Sequence, residues 1–176
     1  MKLHLGCGEK ILENFINIDS RPLDGVNIVS DISELKNIQN NSVELIYCSH
    51  VLEHFGRHTY KNTLKNWYDK LIVGGKLRIA VPDFESIVNH YNKNKDLGQL
   101  IGMLYGGQTY TENFHYYCWD FKTLSDDLFN VGFREVNRYD WRETEHSNID
   151  DYSQSYLPHM DKENGMLMSL NVVAIK

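Results

Sequence analysis

Apolar residues fall along this chain in short bursts separated by polar or glycine-bearing stretches, never in long uniform runs. Leu3 and Leu5 alternate with Lys2 and His4, and comparable runs recur over 15–18, 26–29, 43–48 and 76–81. Their length predicts strands, and several are followed by a polar or helix-like stretch, the alternation expected of a parallel sheet. Leu64, Trp67, Tyr68 and Leu71 stand at i, i+3, i+4 and i+7, which predicts a helix with one apolar face ending before Gly74-Gly75. Phe84, Ile87, Val88 and Tyr91 repeat that spacing, with Asp83 positioned as the N-cap. A last helix is predicted over about 121–130, closed by Gly132, followed by late strands over 133–139 and 170–175 read as antiparallel neighbours.

Two stretches escape both periodicities. Residues 105–117 are rich in Gly, Tyr, Thr and Asn and contain Gly106-Gly107-Gln108 and Asn113-Phe114-His115-Tyr116-Tyr117. They read as an active-site cover, within a covering region at about 97–120. Residues 141–165 are polar and irregular, either a second functional loop or a mobile one. No internal repeat or low-complexity segment interrupts the reading of 1–176 as a single domain.

Composition narrows the class. The chain has 176 residues, 41% hydrophobic and 24% charged, enough for one substantial core. The formal net charge is -6 and the basic residues are scattered, which argues against a nucleic-acid surface and for a small-molecule substrate, neutral or cationic. No apolar run approaches the ~20 residues of a membrane span, and the charged, strand-like start lacks a secretory signal's apolar stretch, so the expected location is cytoplasmic, without membrane partners. Cys7, Cys48 and Cys118 are read as reduced thiols, the first two as small buried packing residues.

The candidate chemistry begins at the first strand. It ends in Gly6-Cys7-Gly8, and Asp19 closes the next strand thirteen positions after Gly6. A glycine turn after a strand admits a ligand close to the backbone, and an acid ending the neighbouring strand can accept bonds from both ribose hydroxyls. An adenosine-bearing cofactor is therefore expected. A nicotinamide dehydrogenase fits less well, because Ile11 stands where the third glycine of Gly-x-Gly-x-x-Gly belongs and the acid comes before the usual ~20 residues. His50-Val51-Leu52-Glu53-His54 matches the zinc pattern H-x-x-E-H. It follows a strand directly, so His50 should sit in a turn and not share a helical face with His54. A zinc hydrolase is set aside, no metal is expected, and Glu53 and His54 are read as a helix start with locally satisfied polar groups.

Taken in order, five segments resemble the class I S-adenosylmethionine-dependent methyltransferases. Leu3-His4-Leu5-Gly6-Cys7-Gly8 is similar to their glycine motif, Asn17-Ile18-Asp19 to the ribose-binding acid, and Ser30-Asp31-Ile32 to the adenine-edge motif. Ser49-His50-Val51-Leu52-Glu53-His54 resembles the segment closing their fourth strand, and Leu71-Ile72-Val73-Gly74-Gly75-Lys76-Leu77 the approach to their fifth. The resemblance implies an α/β fold with a doubly wound, Rossmann-like seven-stranded sheet, mostly parallel with an antiparallel late strand, and S-adenosyl-L-methionine as cofactor. It implies Gly6, Cys7 and Gly8 around the methionine portion, and Asp19 with Ser20 at the ribose. Asp31 then falls at the adenine amino group, Ile32 on the purine face, and Ser49 and His50 at the sulfonium and amino-acid end. Within the family the chain looks most like small bacterial methyltransferases associated with cell-surface polysaccharide assembly, which implies a hydroxyl of a sugar or nucleotide-linked sugar as acceptor. It departs from the family in lacking helices before the first strand and in leaving only about one turn between Gly8 and Phe15.

Methyl transfer from a sulfonium is an in-line displacement, and a hydroxyl acceptor also needs a base. His115, in the aromatic cover, is the first candidate base and His50, at the strand end, the second. Asp83 either orients the acceptor or caps its helix, and Gln108 and Tyr116 offer a surface for a sugar ring. An aminopropyl transferase on the same fold and a non-catalytic cofactor-binding module are the alternatives.

Overall fold

The computed structural model describes residues 1–176. In chain order its strands are β1 (Lys2–Leu5), β2 (Ile16–Asp19), β3 (Ile28–Val29), β4 (Val43–Ser49), β5 (Leu71–Pro82), β6 (Glu135–Arg138), β7 (Tyr156–Leu157), β8 (Met166–Leu167) and β9 (Ser169–Ile175). The α-helices are α1 (Tyr60–Lys70), α2 (Phe84–Asn94), α3 (Ile101–Tyr105) and α4 (Phe121–Val131). Seven strands form one sheet in the order β3-β2-β1-β4-β5-β9-β6, and β7 and β8 pair as a separate hairpin. Neighbours are parallel from β3 to β5, whereas β9 runs antiparallel to both β5 and β6. Strand order reverses between β1 and β4, so the carboxyl ends of β1, β2 and β4 meet in the crevice where ligands of such sheets collect.

Alternation along the strands assigns the two faces. Leu3, Leu5, Ile46, Leu77, Ile79, Leu170 and Val172 share one buried cluster with Leu64 and Trp67 of α1 and Leu124 and Leu128 of α4. Trp67 is fully buried and its indole N–H donates to the Ile32 carbonyl at 2.7 Å, which ties the loop after β3 to α1. Asp120 caps α4 by accepting from Thr123 N at 2.7 Å. Deleting such a leucine costs about 2–5 kcal/mol, so these helices hold the sheet end on which the site stands.

The intervening strand positions, Leu45 and Tyr47, belong to a second cluster with Leu12, Phe15 and Ile149. Here residues 141–157 do what a helical layer does in a doubly wound sheet, so of the two alternatives the mobile loop is corrected, while Tyr152 lies 5.4 Å from His50 at the sheet end. Trp141, Thr144, His146, Ser153 and Gln154 are buried. Asn171 Nδ2 on β9 donates to the Ser153 carbonyl at 2.9 Å, and Arg78 on β5 reaches Glu145 at 2.7 Å. The segment is irregular, its polar groups being satisfied by successive backbone turns and by side chains in place of a helical ladder.

Three other expectations shift. The strand predicted over 26–29 shrinks to Ile28–Val29, and β5 opens early with a bulge, Leu71 facing Val43 before the register resumes at Lys76 and Leu45. On α2 only Ile87 of the predicted apolar face is buried, with Leu100 and Met168, while Phe84, Val88 and Tyr91 stay exposed because no element covers them. Between Gly8 and Phe15 the chain forms turns and no helix. No helix is long and apolar enough to cross a membrane.

Candidate active site

At the end of β1, Gly6 and Gly8 both take left-handed backbone, with φ of 61° and 53°. A Cβ on Gly6 would lie 2.5 Å from Val51 Cγ2, so this glycine admits the turn after β4, a packing reason where a ligand's approach was expected. Gly8 directs its N–H to Asp19 Oδ2 at 2.8 Å, which binds the glycine turn to the acid of β2. Asp19 Oδ1 accepts from Arg21 N at 2.9 Å and Arg21 Nε at 3.2 Å, and the Arg21 guanidinium lies 4.7 Å from the Tyr110 ring. Three of the roughly four lone-pair positions of the carboxylate are thus filled. Arg21 and Tyr110 are the residues sequence reasoning missed; only the Asp-x-Arg spacing carried a signal for the first.

The other expected cofactor residues divide into near and remote. Cys7 is buried, which pushes its thiol up to about 11 and makes it a packing residue. Ser20 and Asp31 are exposed, and Asp31 Oδ1 accepts from Ser33 N at 2.7 Å in a local turn. Ile32 is half-buried and packs against the main core. Ser49, at the end of β4, holds a buried Oγ with no hydrogen-bond partner.

Beyond Ser49 the chain turns sharply. His50 adopts φ 54°, and a 3-10 turn, Leu52–His54, follows, so His50 and His54 do not share a helical face, in keeping with expectation. The reading of Glu53 as locally satisfied is overturned: it is fully buried and neither carboxylate oxygen has a partner. His50 Nδ1 approaches Glu53 Oε1 to 3.3 Å without hydrogen-bond alignment. Burial, reinforced by the neighbouring His115 and His54, drives His50 down to about 3, and burial raises Glu53 to about 8. At neutral pH the two are therefore a neutral imidazole and a protonated carboxyl, and not an ion pair.

The cover segment completes this cluster. Tyr116 N donates to the Glu53 carbonyl at 2.8 Å and His54 Nδ1 to the Phe114 carbonyl at 3.1 Å, so 114–116 is docked along the 3-10 turn. His115 turns inward, its Nδ1 donating to the Met103 carbonyl at 2.8 Å and its Nε2 lying 4.0 Å from Glu53 Oε1. The two rings of His54 and His115 meet edge to face at 4.9 Å. Burial lowers the pKa of both, against the pull of the carbonyls they face. Gly106 is required here, since with φ 76° its Cβ would fall 2.4 Å from the Asn113 carbonyl oxygen.

Of the expected base and acceptor residues, His50 and His115 converge on Glu53, and the rest do not join them. Asp83 caps α2, accepting from Glu85 N and Ser86 Oγ, each at 3.1 Å. Gln108 is exposed and donates to the Tyr105 carbonyl, and Tyr116 is 56% exposed, so both face outward from the cluster. A cavity of about 580 Å³ lies elsewhere, between the end of α2 and the β7–β8 hairpin, and shares no residue with the cluster.

Strand order, the antiparallel β9 and the acid at the end of β2 define the class I methyltransferase fold. The chain is similar in structure to an S-adenosylmethionine-dependent methyltransferase from Archaeoglobus fulgidus, with a TM-score of 0.62 and 20% identity, covering 99% of this chain and 85% of that one. A Thermotoga maritima protein described as a possible histamine N-methyltransferase matches with a TM-score of 0.60 and 16% identity, covering 99% and 81%. The 1,6-didemethyltoxoflavin-N1-methyltransferase of Burkholderia thailandensis, solved with its substrate and S-adenosylhomocysteine, matches at 0.60 and 14% identity, covering 99% and 70%. No protein-family model and no curated protein sequence matches the chain.

Proposed function

We propose that this protein is an S-adenosylmethionine-dependent methyltransferase acting on a hydroxyl of a small molecule, a sugar or nucleotide-linked sugar being the acceptor class implied by the resemblance to small bacterial methyltransferases. The observation that carries the reading is the buried Asp19 carboxylate, held against the Gly8 N–H at the switch point of a sheet whose structural relatives are methyltransferases. The residues present fit the cofactor: Asp19 supplies acceptors for a ribose diol, and the partnerless Ser49 Oγ supplies a polar contact at the end of β4.

When bound, the cofactor supplies an electrophilic methyl group on a sulfonium. The chain's part is to hold, to exclude water and to take a proton. Asp19 would accept the diol once Arg21 Nε swings off, the half-exposed guanidinium returning to water while the diol hydroxyls replace its bond to the buried carboxylate. The docked segment 114–116 closes the crevice. His115 Nε2, unprotonated because Nδ1–H is committed to Met103, would accept the proton of an acceptor hydroxyl.

Titration calorimetry with S-adenosylhomocysteine tests the reading. The wild type should bind, and Asp19→Ala should weaken binding at least tenfold, since a charge-assisted bond is worth about 1.5–3 kcal/mol. Absence of binding by the wild type refutes it.

A further inference from the structure

The hydrogen-bond chain around Glu53 leaves too many acceptors facing one point. Asn171 Nδ2 donates to the Ser153 carbonyl, which orients its Oδ1 to accept from Ser169 Oγ at 3.0 Å. Having given its proton there, Ser169 Oγ accepts from His50 Nε2–H at 3.0 Å, so His50 Nδ1 is a bare lone pair, 3.3 Å from Glu53 Oε1. His115 gives Nδ1–H to Met103 and turns a bare Nε2 to the same carboxylate. The two Glu53 oxygens have no donor at all. The single proton of Glu53 can satisfy only one of these lone pairs, whereas a cation would satisfy the carboxylate and the bare imidazole nitrogens together.

We infer that Glu53, His54 and His115 form a binding site for a divalent first-row transition-metal ion of the zinc type. One potential ligand atom from each of the three lies within 4.8 Å of the others. Ligands at about 2.0–2.2 Å from a tetrahedral ion stand about 3.3 Å apart, so each side chain needs to move by less than about 1 Å. Two imidazoles with one carboxylate favour zinc, or cobalt in its place, over magnesium or calcium, which prefer all-oxygen shells. The carbonyls of Met103 and Phe114 supply the outer bonds that orient metal-binding histidines. A three-residue set leaves a coordination position for a water or an acceptor oxygen. With the ion present, His115 acts as a ligand and no longer as a proton acceptor.

The site is read by metal content and does not depend on methyl transfer. Purified protein is stripped with a chelator and dialysed against zinc, cobalt or magnesium chloride, then assayed for bound ion and, with cobalt, for visible ligand-field absorption. One equivalent of zinc or cobalt is expected, with intense cobalt bands, and no comparable uptake of magnesium. Glu53→Gln and His115→Ala should each weaken zinc binding by well over a hundredfold, beyond the 10–100-fold typical of outer-shell changes. The stripped Glu53→Gln protein should melt no lower than the stripped wild type, because it removes an unpartnered carboxyl, whereas zinc should raise the melting temperature of the wild type only. Wild type that takes up no stoichiometric zinc or cobalt, or variants that keep wild-type affinity, would leave a single proton on Glu53 as the site's occupant and overturn the inference. Binding of S-adenosylhomocysteine by the same preparations separates this failure from failure of the methyltransferase reading.

Discussion

Replacing His4 by Asn should make the protein less sensitive to acid. His4 sits on β1, only 2% exposed, stacked on Tyr47 with ring centroids 5.2 Å apart. Its Nδ1 donates to Asn17 Oδ1 at 3.0 Å; that amide is oriented by its own bonds to Leu12 and Phe15. Burial lowers its pKa from 6.5 to about 4, outweighing the bond to Asn17 and the charge of Asp151. Between those values the unfolded chain takes up a proton that the folded chain refuses. The contribution is therefore fully present above pH 6.5 and is lost as pH falls toward 4, about 3 kcal/mol in total and about 2 kcal/mol between pH 7 and pH 5. Asn keeps a donor toward Asn17 and cannot titrate. Urea unfolding of both proteins at pH 7 and pH 5 measures the effect as a difference of differences, in which common terms cancel. These include His146, whose pKa burial also lowers, and Glu53, whose raised pKa acts in the opposite direction. His4→Asn should start less stable at pH 7, having lost the stacking, and should lose about 2 kcal/mol less on acidification. Parallel losses within about 0.5 kcal/mol would refute the burial argument.

Two further perturbations address the backbone at the site. Gly6→Ala should destabilise by about 2–3 kcal/mol, from the left-handed φ and the 2.5 Å approach to Val51, and thermal unfolding should show partial relief when Val51→Ala is combined with it. A ligand-approach role alone predicts no such coupling. Gly106→Ala should loosen the cover: amide exchange of His115 and Tyr116, which bond to Tyr105 and Glu53, should quicken while that of β4 and β5 stays unchanged. Uniform exchange across the chain would mean that the loop is not a separable unit.

Much of the architecture was legible in local spacing. The i, i+3, i+4, i+7 set at Leu64 and the cap at Asp83 foretold α1 and α2, because a periodic pattern reports side-chain direction relative to its own backbone. For the same reason β1, β4 and β9 could be read from alternation, and the glycine turn with Asp19 from chemistry eleven to thirteen residues apart. Spacing carries no information on what lies across space. It could not say that Phe84, Val88 and Tyr91 would stay uncovered, or that residues 141–157 would pack on a sheet face in place of a helical layer.

What the sequence by itself determined is a parallel, nucleotide-type sheet with an acid poised at its switch point, since those features rest on near neighbours. What only the tertiary structure decided is the partner of each buried group. Arg21 and Tyr110 cover Asp19, and Glu53 is left without a donor while His50, His54 and His115 gather around it from two distant segments. Burial turns a residue that would be an ordinary solvated acid into the most demanding group in the molecule, and burial is a property of the packed chain, not of any stretch of it.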